Sequence, residues 1–137
     1  MEGKMVRGFT SVVGDLLHPG HQAMIRNCRK YCDYLIVGLI CDPTDRPSKK
    51  APIESVFERW YRLWSCKGVD EIVPLQGEKD LELALRMLDY DLRFVGKEYE
   101  GTNFTGRKIC EERHIPIIFN DRSHGLSSSE LRRRFGR

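Results

Sequence analysis

Two kinds of hydrophobic patterning alternate along the chain. Tyr34–Cys41 (YLIVGLIC) is an almost unbroken apolar run. A run without polar alternation predicts a strand covered on both faces, as in a parallel sheet. Val6–Val13 predicts a strand before it, and Val69–Leu75, Leu92–Val95 and Ile115–Asn120 predict strands after it. Between these segments apolar residues recur at helical spacing. Pro19–Cys32 places Ala23, Met24, Cys28 and Tyr31 near one face, and Ile53–Ser65 does so with Val56, Phe57, Trp60 and Leu63/Trp64. Glu78–Leu88 carries Leu81, Leu85 and Leu88, and Gly106–His114 predicts another helix. Ser127–Phe135 predicts the last helix, opened by a Ser127/Glu130 capping box. It closes on Arg132, Arg133 and Arg134, where a helix dipole favours cations.

Strands alternating with helices predict an α/β, Rossmann-like domain with a five-stranded, mainly parallel sheet and helices on both faces. No repeat, low-complexity segment or linker interrupts residues 1–137, so a single domain is expected. In such sheets ligands bind beyond the carboxyl ends of the strands, where strand order reverses. The loops that matter for chemistry are therefore Gly14–His21, Asp42–Pro52, Gly96–Gly101 and Asp121–Ser129.

Composition narrows the class. The 137 residues are 40% apolar and 31% charged, which argues against disorder and allows a real core. No apolar run approaches the roughly 20 residues of a membrane span, and the N-terminus lacks a signal-peptide apolar region. A net charge of +3, from 23 basic and 20 acidic residues, is too mild to argue for a nucleic-acid partner. The cysteines at 28, 32, 41, 66 and 110 are odd in number and mostly sit in apolar or helical segments. Free thiols in a reducing cytoplasm are the simplest reading. Cys28 and Cys32 share a helical face, but no further ligand stands nearby at metal-site spacing.

The strongest chemical signal follows the first strand, in Asp15-Leu16-Leu17-His18-Pro19-Gly20-His21. Pro19 suits a first helical turn. His18 and His21, three apart, point to one side of that turn, and Gly20 lets a ligand approach the backbone. Imidazoles beside the N–H groups of a helix N-terminus suit phosphate oxygens; a metal site and a purely structural role remain the alternatives. The last loop supplies Arg122 and Ser123, then Ser127, Ser128 and Ser129 at another helix start. Arginine offers a planar fork to phosphate, and the serines add donors, although capping alone needs only Ser127. Lys49 and Lys50 sit in the long loop after the second strand, above the same sheet edge.

Taken together, the H-x-G-H turn, Gly14-Asp15-Leu16-Leu17-His18, Val69–Pro74 (VDEIVP), Phe94-Val95-Gly96 and Arg122…Ser127-Ser128-Ser129 resemble the cytidylyltransferase family of H-x-G-H nucleotidyltransferases, in its glycerol-3-phosphate type. The resemblance runs from about Arg7 to Arg134. It implies that His18 and His21, with the backbone of Val13 and Gly14, contact the nucleotide's phosphates. It also implies Lys50 on the triphosphate, Lys49 and Lys79 at the acceptor, and Arg122, Ser123, Ser127, Ser128 and Ser129 on the phosphates and base. The family's Gly-Thr-Phe is replaced by Val12-Val13-Gly14, and Lys97-Glu98-Tyr99 begins with a lysine where acids are usual.

The implied reaction transfers CMP from CTP to a small phosphomonoester and releases pyrophosphate. Mg²⁺ would travel with the triphosphate. The monoester's second pKa is ~6, so it attacks as a dianion without a general base. The demand is for cations and donors, which His18, His21, Lys50 and Arg122 would meet in one shared pocket. An adenylyltransferase using ATP on a sugar phosphate, and a non-catalytic nucleotide-binding module, are the alternatives. The resemblance further implies a homodimer, and the free thiols a cytoplasmic one.

Overall fold

The computed structural model describes residues 3–121 and 133–136. Strands β1 (Arg7–Val12), β2 (Tyr34–Ile40), β3 (Glu71–Leu75), β4 (Leu92–Gly96) and β5 (Ile117–Asn120) form one sheet in the order β3-β2-β1-β4-β5. Every pairing is parallel, so the expectation of a mainly parallel sheet sharpens to a wholly parallel one. The unbroken apolar run is β2, which pairs with β1 on one side and β3 on the other. Leu35, Val37 and Leu39 face one layer and Ile36 the other, all buried.

Helices α1 (Pro19–Cys28) and α2 (Val56–Trp64) cover one face of the sheet, and α3 (Glu78–Met87) and α4 (Arg107–Glu112) the other. Ile25 and Cys28 of α1 and Leu63 of α2 pack with Leu35, Val37, Leu39 and Phe94. Leu81, Ala84 and Leu85 of α3 and Ile109 of α4 pack with Phe9, Ile36 and Tyr90. Right-handed crossovers demand this division. The chain steps outward from β1 to β3, returns to β4, and steps outward again to β5. Strand order therefore reverses between β1 and β4, and the loops leaving those strands diverge there.

Several elements differ from the sequence expectations. Helix α1 stops at Cys28 rather than Cys32, because Lys30 N–H and Tyr31 N–H bond to the carbonyls of Asn27 and Cys28 in tight turns. Tyr31 is consequently half exposed, and Ile25 fills the core position. In α2 the buried pair is Arg59 and Leu63, while Val56, Phe57 and Trp64 face outward. Nearly all of the expected last helix, 127–135, lies outside the described residues.

Candidate active site

A cleft of about 790 Å³ opens at the carboxyl edge of the sheet, over the switch point between β1 and β4. Val12, Val13 and Gly14 lead out of β1 along its floor. Gly14 turns the chain at φ +71°, and Leu16 follows at φ 50°, an uncommon conformation for a branched side chain. Such strain persists where neighbours fix it. Leu16 N–H donates to Glu54 Oε1 at 2.7 Å, and Asp15 accepts from the backbone N–H groups of Ile53 (3.0 Å) and Glu54 (2.9 Å). The β1–α1 turn is thereby laced to the end of the loop that enters α2.

His18 and His21 form a reciprocal cap on α1. Gly20 N–H donates to His18 Nδ1 at 2.9 Å, and His18 N–H donates to His21 Nδ1 at 3.2 Å. Each Nδ1 therefore acts as an acceptor, which places the ring proton of the neutral imidazole on Nε2 as a donor. The ring centroids are 4.1 Å apart, and both histidines line the cleft. The first turn of α1 contains no acidic residue, so no carboxylate of that turn offsets the positive end of the helix dipole. The turn supplies imidazole donors, backbone donors and a positive field, a combination suited to phosphate oxygens.

Beneath this turn lies a buried cation that the sequence reading missed. Arg59 is 2% exposed. Its guanidinium donates to the carbonyls of Val13 (2.9 Å), Ile40 (2.8 Å), Cys41 (2.7 Å) and Glu54 (3.2 Å). One side chain thus ties the end of β1, the end of β2 and the entrance of α2. The available signal was its spacing: Arg59 lies four residues before Leu63, on the same helical face.

The opposite wall belongs to the α3 side of the sheet. Arg46 pairs with Glu78 at 3.2 Å, donates to the Tyr99 hydroxyl at 3.3 Å, and stacks 5.7 Å from the Tyr99 ring. Asp45 accepts from Glu78 N–H at 2.8 Å. Deeper in this wall, Arg93 of β4 lines the cleft although it is 4% exposed. Burial pulls its pKa below the ordinary arginine value, against the raising effect of Cys110, Tyr90 and Glu78.

The structure brings Val13, Gly14, His18, His21 and Lys49 to this one cleft. Lys50 is exposed and outside its lining, as is Lys79, whose neighbour Glu78 faces the cleft instead. Arg122, Ser123, Ser127, Ser128 and Ser129 lie outside the described residues. Arg46, Arg93, Tyr99 and Phe104 line the cleft without having been singled out as site residues from sequence.

The five cysteines are unbridged. Burial pushes the Cys28 thiol up to about 12 and also raises Cys32. Cys28 meets the Asn120 amide at 3.4 Å beside the cleft, and Asn120 in turn accepts from Asn27 at 2.8 Å. Among the described residues, no cluster of three or more histidine, cysteine or acidic groups could hold a metal. No helix among them is long and apolar enough to cross a membrane.

Comparison with known proteins matches this geometry to a family. A family model described as cytidylyltransferase-like matches residues 15–134. Glycerol-3-phosphate cytidylyltransferase of Staphylococcus aureus (strain NCTC 8325 / PS 47) is 30% identical over 128 residues, 93% of either chain. Bifunctional protein HldE of Aliarcobacter butzleri is 33% identical over 106 residues, which are 76% of this chain but 22% of that longer protein. The lipopolysaccharide core biosynthesis protein of Thermoplasma volcanium GSS1 shares the fold, with a TM-score of 0.70 at 23% identity over 86% of this chain and 96% of its own. Pantothenate synthetase of Thermus thermophilus shares it less closely, at a TM-score of 0.55 and 15% identity over 86% of this chain and 55% of its own. The family match begins at Asp15, directly before the histidine turn over the switch point, and the chain belongs to the cytidylyltransferase-like family as a nucleotidyltransferase enzyme.

Proposed function

We propose that this enzyme transfers CMP from CTP to a small phosphomonoester of the glycerol-3-phosphate type and releases pyrophosphate. The observation that carries the reading is the reciprocal His18–His21 cap at the N-terminus of α1, set over the switch point of the sheet. In this reading the triphosphate lies against that cap and the backbone of Val13 and Gly14. The Nε2–H groups of His18 and His21 hydrogen-bond the α-phosphate and the bridge to the leaving pyrophosphate. They gain strength as negative charge moves onto those oxygens, which is where a preorganised donor accelerates the step.

The acceptor dianion attacks the α-phosphorus in line and the bond to the β-phosphate oxygen breaks. No side chain must remove a proton, since the monoester is largely deprotonated at neutral pH, with a second pKa of ~6. Lys49 and Arg46, on the loop after β2, reduce repulsion between the two anions. Lys50, assigned to the triphosphate, and Lys79, assigned to the acceptor, are exposed outside the cleft's lining and would have to reach the ligands from there. Arg122, Ser123, Ser127, Ser128 and Ser129 complete the phosphate and base contacts.

The cleft's carboxylates act largely as braces: Asp15 takes two backbone N–H groups, and Asp45 takes one. That donor set suits Mg²⁺ held chiefly by phosphate oxygens and water. When bound there, the ion would offset charge on the triphosphate. The reading also includes a cytoplasmic homodimer. Ile53, Phe57, Tyr61 and Trp64 are each at least 50% exposed on α2 and the segment leading into it, an apolar patch that a twofold axis would cover with its own copy. Sedimentation equilibrium tests this directly, and a monomer at all concentrations refutes it.

The functional test is a pyrophosphate-release screen of CTP, ATP, GTP and UTP against phosphomonoesters, with Mg²⁺ present. Turnover with CTP and glycerol 3-phosphate or a close analogue supports the proposal. Turnover with ATP alone would replace it with an adenylyltransferase, and nucleotide binding without any turnover would leave a non-catalytic module.

A further inference from the structure

We propose that Arg93 forms the end of an acceptor pocket for a second anionic group, so that the preferred substrate is a phosphomonoester that also carries a carboxylate or another phosphate. This deepens the transferase reading above and rests on it.

The argument begins with where the cation lies. Arg93 projects from β4 to the side covered by α3 and α4, where Leu85, Tyr90 and Cys110 surround it. The α1 cap lies over the opposite face. Arg93 and Leu81 are each 4% exposed yet both line the cleft, so the cavity reaches below the sheet edge on the α3 side. The phosphate site at His18 and His21 and the guanidinium of Arg93 thus occupy different arms of one cavity.

The second step is the cation's incomplete partnership. Arg93 Nη1 donates to the Thr105 carbonyl at 2.6 Å, and the Phe104 ring lies 5.3 Å from its Cζ. The Cys110 thiol, a weak acceptor, and the Tyr90 hydroxyl are its other polar neighbours in the wall, and the Glu78 charge acts on it from the rim. Among the described residues no carboxylate lies within ion-pair distance of it. Arg59, buried to a similar depth, donates to four carbonyls. Arg59 is accounted for by structure and Arg93 is not. A buried guanidinium without an ion-pair partner is costly, and Arg93 lines the cleft. A planar five-donor fork in that setting recognises a carboxylate or a phosphate.

The third step is the surrounding wall. Glu78 on the rim is paired with Arg46; its charge also acts on Arg93, but from beyond ion-pair distance. Phe104, against the guanidinium, and Leu81 give the arm an apolar lining. They exclude water and strengthen the charge interaction at the end of the pocket. A three-carbon acceptor with its reacting phosphate toward Lys49 would direct its far end into this arm.

The test uses the full chain with Mg²⁺ and the nucleotide selected by the screen. Three acceptors are compared: glycerol 3-phosphate, 3-phosphoglycerate and a propanediol bisphosphate. The first two differ by a hydroxymethyl against a carboxylate, and the third replaces that carboxylate with phosphate. The wild type should favour at least one doubly anionic acceptor over glycerol 3-phosphate by about 10- to 100-fold in kcat/KM, the range of a hydrogen bond to a charged group. Arg93→Gln and Arg93→Met should both bring that ratio close to one. A ratio near one in the wild type, or one unchanged in both variants, overturns the proposal.

A ligand-only measurement separates this failure from failure of the transferase reading. The doubly anionic compound, without nucleotide, should raise the wild-type melting temperature and leave that of Arg93→Met unmoved. Absence of turnover with every acceptor strikes the transferase reading, and the ligand-only shift then decides the Arg93 site by itself. Arg93→Met without ligand should melt no lower than wild type, because replacing an unpaired buried charge by an apolar chain is often neutral or stabilising. A lower melting point would mark Arg93 as structural.

Discussion

Arg59→Met removes every guanidinium donor while keeping an unbranched stem in the core. Four carbonyl oxygens lose their partner: Val13, Ile40, Cys41 and Glu54, now held at 2.7–3.2 Å. Three of these lie at or just beyond strand ends, where water can replace part of the loss. A net value of about 1 kcal/mol for each bond gives a destabilisation of about 4 kcal/mol, a large share of the roughly 5–15 kcal/mol that holds a domain together. Arg59→Lys keeps the charge but has one nitrogen to serve carbonyls on three separate segments, and should recover about half of the loss. Urea titrations should show a lower midpoint with an unchanged slope. Nucleotide affinity, measured calorimetrically on the folded fraction, should fall further in Met than in Lys, because Val13 is both a ligand of Arg59 and part of the cleft floor. A loss below about 1 kcal/mol in Arg59→Met would refute the claim that this side chain organises the strand ends.

Three further outcomes follow from the same geometry. His18→Asn retains a good helix cap but removes the Nε2–H donor, so its melting point should match wild type while kcat falls by about 10²–10³; His18→Ala should lose about 1 kcal/mol of stability as well, read by thermal melts beside steady-state kinetics. Asp15→Asn puts an amide donor against one of the Ile53 and Glu54 N–H groups, and should cost about 1–2 kcal/mol and weaken nucleotide binding, measured by denaturation and calorimetry. Burial raises Cys28 from 9.0 to about 12, so its contribution is intact below pH 9 and is lost as pH rises through that window, at about 1.4 kcal/mol per unit; stability at pH 10.5 should recover in Cys28→Ser relative to its own neutral value, and an equal fall in both proteins would exclude this thiol as the cause.

The sequence made some of this legible for a definite reason. A strand buried on both faces cannot hide, because β2 must be apolar at nearly every position. Once strands and helices alternate, right-handed crossovers place the useful loops at one edge, and His18 and His21 at three-residue spacing fall on that edge together. Helix α2 was harder. Ile53, Val56, Phe57, Trp60, Tyr61, Leu63 and Trp64 do form one apolar stripe, but Ile53, Phe57, Tyr61 and Trp64 at its centre are exposed and the buried pair, Arg59 and Leu63, lies along one edge. The decisive inward residue is a cation, which hydropathy reads as exposed, and only its four carbonyl partners show why burial is tolerated. The adjacent pairs Lys49–Lys50 and Glu78–Lys79 present another limit. Lys49 and Lys50 lie in a loop with no period to orient them, and Glu78 and Lys79, neighbours on α3, differ by about 100° in direction, so the structure alone selects Lys49 and Glu78 for the cleft.

The charges around the cleft divide by role rather than by number. Asp15, Glu54, Asp45 and Asp80 all stand near the sheet's carboxyl edge, and each accepts from backbone N–H groups of nearby loops. Their negative charge is directed into the framework. The lining imidazoles and Lys49 lie at the open end, while Arg59 supports the floor from below. Acids and bases share the cleft, with Asp15, Asp45, Glu78, Glu98 and Asp121 lining it beside Arg46, Lys49 and Arg93, so net charge does not mark the site. That division by role suits the proposed transfer, whose substrates are all anions and whose nucleophile needs no base. What distinguishes the site is how its charges are used: Asp15 and Asp45 accept from backbone N–H groups, Glu78 pairs with Arg46, and Arg93 has no carboxylate within ion-pair distance among the described residues.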